Sequence, residues 1–201
     1  MGVRPRRIIM VSAPRSSVPV LIITGPVGVG KTSVAEEIFD QLAARDMPQA
    51  VVDLDGLGLC WPSGDDDPFN QQMAVANLAA VWQNYRATGA ARLVIARVVE
   101  TRGELVDYRH AVPGAAIQVC LLAATKQALR ARVASRETGS SFESLARRAD
   151  ELADVMANSE VADFTVETED RALADIALEV LRKAHWIDAN EADRQAYLSP
   201  R

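Results

Sequence analysis

Val18-Pro19-Val20-Leu21-Ile22-Ile23-Thr24 runs without a break into Gly25-Pro26-Val27-Gly28-Val29-Gly30-Lys31-Thr32, and these two stretches together decide the fold. The first is a near-continuous apolar, β-branched run, as expected of a strand buried on both faces of a parallel sheet. The second fits the pattern G-x-x-x-x-G-K-[ST]. A polyphosphate is held when backbone N–H groups point inward around a tightly curled chain, which the glycines at 25, 28 and 30 permit. Val27 and Val29 belong to the same cradle. A helix opening near Lys31 adds its positive dipole end, Lys31 reaches the β- and γ-phosphates, Thr32 offers its hydroxyl to Mg²⁺, and Ser33 can add a contact to the α-phosphate.

Outward from this loop, Thr32 to Arg45 carries Val34, Ala35, Ile38 and Leu42 at helical spacing. Ala50 to Leu54 is a second short buried strand. The glycines and proline of 56–64 make a loop, and Asp65, Asp66 and Asp67 read as a charge cluster at the N-terminus of a helix over 70–88. Strands follow at 92–99, 116–122 and 162–166. Between and after them come a short helix or turn at 103–108 and helical runs at 126–136, 142–158 and 171–184. Strand and helix alternate throughout, which predicts a parallel sheet covered on both faces, with ligands at the carboxyl ends of its strands.

With 201 residues and 49% apolar side chains, the chain can bury one sizeable core. The expected layout is a basic N-terminal extension over 1–17, one domain over 18–184 and a tail over 185–201. Arg4, Arg6, Arg7 and Arg15 in the extension read as solubilising. A net charge of −5 gives no electrostatic reason to expect DNA, RNA or an anionic membrane as partner. No run approaches the ~18 apolar residues of a membrane span, and Ile8 to Val11 is too short for a signal-peptide core, so a cytoplasmic protein is expected. Cys60 and Cys120 have no paired spacing and read as reduced thiols, and His110 and His185 as structural residues.

Asp53 and Asp55 stand at i and i+2 where the second strand ends. Phosphoryl transfer to a hydroxyl needs one carboxylate to accept its proton and another to order Mg²⁺, and this pair can supply both. From Val18 to Ala184 the order of elements, together with the phosphate loop, resembles the P-loop small-molecule kinases: adenylylsulfate, shikimate, gluconate and antibiotic-modifying kinases. The resemblance implies an α/β P-loop NTPase fold whose five-stranded parallel sheet has the order 2-3-1-4-5. The acidic pair is similar to the D-S-D of shikimate kinases and the D-G-D-N of adenylylsulfate kinases, which implies that Asp53 is the Mg²⁺-linked or base carboxylate and that Asp55 holds the acceptor hydroxyl. Arg132 and Arg136, four apart before Gly139, resemble the lid arginines of the group, with a solvated basic face as the alternative.

Two departures narrow the acceptor. Leu54, Gly56 and Gly58 replace the glycine, asparagine and arginine of the adenylylsulfate kinase pattern, and Ala96-Arg97-Val98 lacks the glycine-rich loop of shikimate kinases. By position, Trp61, Phe69, Asn70, Arg97 and Glu100 are the further acceptor-binding candidates. The expected activity is therefore transfer of the γ-phosphate of Mg·ATP to a small hydroxyl-bearing acceptor, a metabolite or antibiotic, by a monomer or homodimer. ATP is favoured over GTP because no N-K-x-D guanine-reading motif is present. The rival is an NTPase or nucleotide switch working through a protein partner. Against a motor-type ATPase, the third strand ends in Ala96-Arg97 where an Asp-Glu pair would stand.

Overall fold

The structure, a computed structural model, describes residues 17–67, 70–136, 140–157 and 159–188. Strand β1 (Val18–Thr24) lies at the centre of the sheet. It pairs in parallel with β3 (Leu93–Ala96) on one edge and β4 (Ala115–Ala123) on the other, so that Ile22 sits beside both Ile95 and Val119. Strand β2 (Ala50–Asp53) extends the sheet beyond β3, and β5 (Phe164–Glu167) extends it beyond β4. The order is β2-β3-β1-β4-β5, all parallel, as the resemblance implies.

Alternation along β1 sends side chains into two cores, which is why it reads as continuously apolar. Leu21 and Ile23 face helices α1 (Lys31–Ala43) and α7 (Leu173–Lys183), where Val34, Ile38, Leu42, Val180 and Leu181 are buried. Val20 and Ile22 face α3 (Gln71–Ala87) and α4 (Leu105–Ala111), packing with Leu78, Trp82 and Tyr108. A smaller cluster joins Leu121 of β4 to Leu152 and Met156 of α6 (Ser140–Ala157), with Val27 and Val98 against it. Helix α5 (Lys126–Arg136) adds Leu129 to the first core. Trp186 and Ile187, which the expected boundary assigns to the tail, also pack there, and the Arg92 guanidinium stands 5.6 Å from the Trp186 ring centre.

Two local features differ from the sequence expectations. Leu54–Leu57 forms a short helix, α2, rather than a loop, because Asp53 Oδ1 accepts from the Asp55 N–H at 3.0 Å and caps it. Strand β3 stops at Ala96, after which the Arg97 N–H still donates to the Ile23 carbonyl at 3.1 Å. Of the acidic triplet, Asp67 caps α3: its carboxylate accepts from the N–H groups of Gln71 at 2.6 Å and Gln72 at 2.8 Å. No helix among the described residues is long and apolar enough to cross a membrane.

Leu21 is fully buried in the centre of the sheet. Leu21→Ala is expected to cost ~2–5 kcal/mol through lost burial and the cavity left behind. Urea unfolding followed by far-UV circular dichroism checks this, and a loss under ~1 kcal/mol would contradict the assignment of β1 as the central strand.

Candidate phosphate-binding and transfer site

The loop between β1 and α1 is a cradle because its glycines hold backbone conformations that side chains resist. Gly28 and Gly30 have φ of 83° and 101°. A Cβ on Gly28 would come within 2.9 Å of a Val133 methyl and 3.2 Å of the Leu129 carbonyl oxygen, so the loop is also packed tightly against α5. Lys31 folds back over the cradle, its Nζ donating to the carbonyls of Gly25 at 3.0 Å and Pro26 at 3.1 Å. Burial pushes its ammonium down to about 8, against the opposing pull of the Asp55 and Asp53 carboxylates.

Thr32 Oγ1 donates to Asp53 Oδ2 at 2.7 Å, which joins the first turn of α1 to the carboxyl end of β2. An alcohol and a carboxylate side by side form a hard, all-oxygen donor set of the kind Mg²⁺ takes through its waters. Thr32 and Asp53 are the residues that could hold such an ion; among the described residues no group of three or more His, Cys, Asp or Glu is placed to hold a metal.

Asp55 stands on α2 with its side chain 61% exposed, ion-paired at 2.6 Å with Arg97 Nη1. Arg97 is itself nearly buried, and its Nη2 donates to Gln71 Oε1 at 2.5 Å. The structure therefore brings Lys31, Thr32, Asp53, Asp55 and Arg97 to one mouth. Glu100 follows shortly after, its carboxylate accepting from Arg148 Nη2 of α6 at 2.7 Å. A cavity of about 350 Å³ opens beside Thr32 and Asp53 between α1 and the β2 edge.

The remaining candidates are distributed differently. Asn70 is buried and its amide donates to the carbonyls of Gly58 at 2.9 Å and Cys60 at 3.0 Å, so it ties down the base of the loop after α2. Trp61 projects from that loop at 89% exposure. Phe69 and Gly139 lie outside the described residues, as does the side chain of Arg136. Arg132 lies behind the phosphate loop, donating from Nη1 to the Val29 carbonyl at 3.3 Å and to Thr168 Oγ1 at 3.0 Å, and from Nη2 to the Thr168 carbonyl at 2.9 Å. With Gly28, Gly30, Thr168 and Arg171 it lines a cavity of about 180 Å³.

Three contributors escape sequence reasoning. Thr168 could have been found, since it follows the carboxyl end of β5, at the same end of the sheet as the loop. Gln71 and Arg148 carry no local signal, because each reaches the mouth from a helix that only the tertiary fold brings near.

Lys31 supplies a pH prediction. Its cation is present below about pH 8 and lost above it in the free protein, so nucleotide affinity should be full below pH 8 and fall as pH rises through that value. Titration calorimetry with Mg·ATP should show about tenfold weaker binding at pH 9 than at pH 7, with net proton uptake on binding at pH 9. Equal affinities and no proton uptake would contradict the assignment of Lys31 to the phosphates.

A family model for the type IV secretion-system coupling protein DNA-binding domain matches residues 9–197. No curated protein matches the chain. Among solved structures, a gluconokinase from Sinorhizobium meliloti 1021 superposes with a TM-score of 0.56 at 19% identity, over 90% of this chain and 98% of that one. The tunicamycin resistance protein of Deinococcus radiodurans gives 0.56 at 19% identity over 83% and 95%. The APS kinase of Mycobacterium tuberculosis, in complex with AMPPNP and APS, gives 0.57 at 17% identity over 85% and 99%. At these identities the likeness is one of fold.

Proposed function

The chain belongs to the type IV secretion-system coupling protein DNA-binding domain family, and from its site we propose that it is a phosphotransferase moving the γ-phosphate of Mg·ATP to a hydroxyl of a small metabolite or antibiotic. The observation that carries this reading is the division of labour at the end of β2. Asp53 engages the Thr32 hydroxyl, and two residues later Asp55 points an exposed carboxylate into the mouth opposite Lys31. Solved structures of three kinds of kinase fold, those for gluconate, shikimate and APS, support it as relatives in architecture.

In this reading the backbone of Gly25 to Ser33 and the Lys31 ammonium hold the β- and γ-phosphates. The cavity lined by Arg132 and Thr168 beside the loop takes the base of the nucleotide in this reading, with Arg132 and Arg136 kept as the candidate lid arginines. Thr32 and Asp53 would hold Mg²⁺, which would supply neutralisation of the phosphate charge. The acceptor oxygen attacks the γ-phosphorus, the bond to the ADP oxygen breaks, and the hydroxyl proton passes to the acidic pair. Asp55, Trp61, Arg97 and Glu100 are assigned to the acceptor, with Asn70 acting by fixing the loop that carries Trp61. A second reading is an NTPase or nucleotide switch acting through a protein partner; the family match, which names a secretion-system coupling protein DNA-binding domain, is compatible with it.

Substitution of the acidic pair separates the two. Asp55→Asn keeps shape and removes charge, so it should bind Mg·ATP within a few-fold of the parent yet lose on the order of 10²- to 10⁴-fold in kcat for transfer. Asp53→Asn should lose a comparable factor and weaken the Mg²⁺ dependence. Lys31→Ala should abolish turnover with the fold intact by circular dichroism. Full ATP turnover in both Asp variants would remove the phosphotransferase reading in favour of the partner-operated NTPase.

A further inference from the structure

We propose that Gln71 is a positioning residue for the acceptor side of the site, holding one arm of the Arg97 guanidinium so that the other arm fixes the Asp55 carboxylate. The proposal rests on the reading of Asp55 as the residue that receives the acceptor hydroxyl.

An exposed ion pair is a weak restraint by itself, because both side chains lose freedom to form it and water screens it. Asp55 is 61% exposed, so its orientation depends on how firmly its partner is held. Arg97 is held at both ends. Its backbone N–H donates to the Ile23 carbonyl at 3.1 Å, which fixes its root on the sheet. Its guanidinium is planar, so fixing Nη2 fixes the direction of Nη1 as well. Gln71 Oε1 provides that fixture at 2.5 Å, while Nη1 meets Asp55 Oδ1 at 2.6 Å.

Gln71 is anchored in turn. It opens α3, and its N–H donates to Asp67 Oδ1 at 2.6 Å, so the cap that starts the helix also sets the residue's position. Tyr108 of α4 is fully buried, and its hydroxyl makes no hydrogen bond of its own among the described residues. Burial pushes that hydroxyl up to about 12, so it stays neutral. A cation on one side requires the amide to present its oxygen there, since its NH₂ end cannot accept. The Gln71 link therefore joins the sheet and the α3 cap to one carboxylate. Loss of the link should misdirect Asp55 without touching the phosphate loop.

The test compares Gln71→Leu, which removes the acceptor oxygen at similar volume, with Gln71→Glu, which retains one. The first readout needs no acceptor: ¹⁵N NMR of the Arg97 Nη groups at low temperature. The parent and Gln71→Glu should show resolved, slowly exchanging Nη signals, and Gln71→Leu should show averaged ones. The second readout is transfer kinetics, where Gln71→Leu should lose about ten- to a hundredfold in kcat with KM for ATP within twofold, and Gln71→Glu should restore most of it. Resolved Arg97 signals in Gln71→Leu, or equal kinetic losses in both variants, would overturn the proposal. Full turnover in Asp55→Asn would instead overturn the reading it rests on, and the NMR comparison would still decide whether Gln71 holds Arg97.

Discussion

The site depends on the central position of β1. That strand is hydrogen-bonded on both edges and buried on both faces, so its carboxyl end can leave the sheet only upward, between the ends of β3 and β4. The glycine loop turns the chain there and sends it straight into α1, whose first residues are Lys31 and Thr32. Because every strand is parallel, the ends of β2, β3 and β5 arrive at the same level and bring Asp53, Arg97 and Thr168 to the loop. A change of strand order would scatter these groups, since no two of them are near in sequence.

Charges at this mouth occur in opposed pairs or clusters. Lys31, pushed down to about 8 by burial, is drawn toward the Asp55 and Asp53 carboxylates, and Arg97 lies against Asp55 while Arg148 lies against Glu100. Such an arrangement keeps a cation buried beside the phosphate cradle at neutral pH, where its interaction with a polyphosphate is stronger than in water. It also means that a ligand entering the mouth must exchange partners with groups already paired. The acidic pair at the end of β2 divides accordingly, with Asp53 committed to Thr32 and to capping α2 and Asp55 facing outward.

What was legible in the sequence follows from the range of the forces involved. β1, the loop and α1 are contiguous, and their pattern identifies them because apolar continuity, glycine and helical spacing act over a few residues. The strand alternation that dictates the parallel sheet is likewise local. Asp53 was legible as a strand-end acid, but its capping of α2 was not, because glycines at 56 and 58 mask a helix that one side-chain hydrogen bond starts. The Arg132–Thr168 and Arg97–Gln71 contacts join residues 36 and 26 positions apart. Helical spacing suggests a shared face for Arg132 and Arg136 but cannot say what that face meets, and the fold sets Arg132 behind the phosphate loop. Asn70 read as a mouth residue by position, whereas its left-handed backbone and buried amide serve the loop base.

The proposed reaction sends the γ-phosphate of ATP to a hydroxyl and not to water alone. Incubation of the protein with γ-labelled ATP and Mg²⁺ against a panel of hydroxyl-bearing metabolites and antibiotics, with products identified by mass spectrometry, tests it directly. Label is expected on at least one acceptor, with the added mass of one phosphate on an oxygen. Recovery of all label as inorganic phosphate across the panel, at a rate raised only by a protein partner, would contradict it.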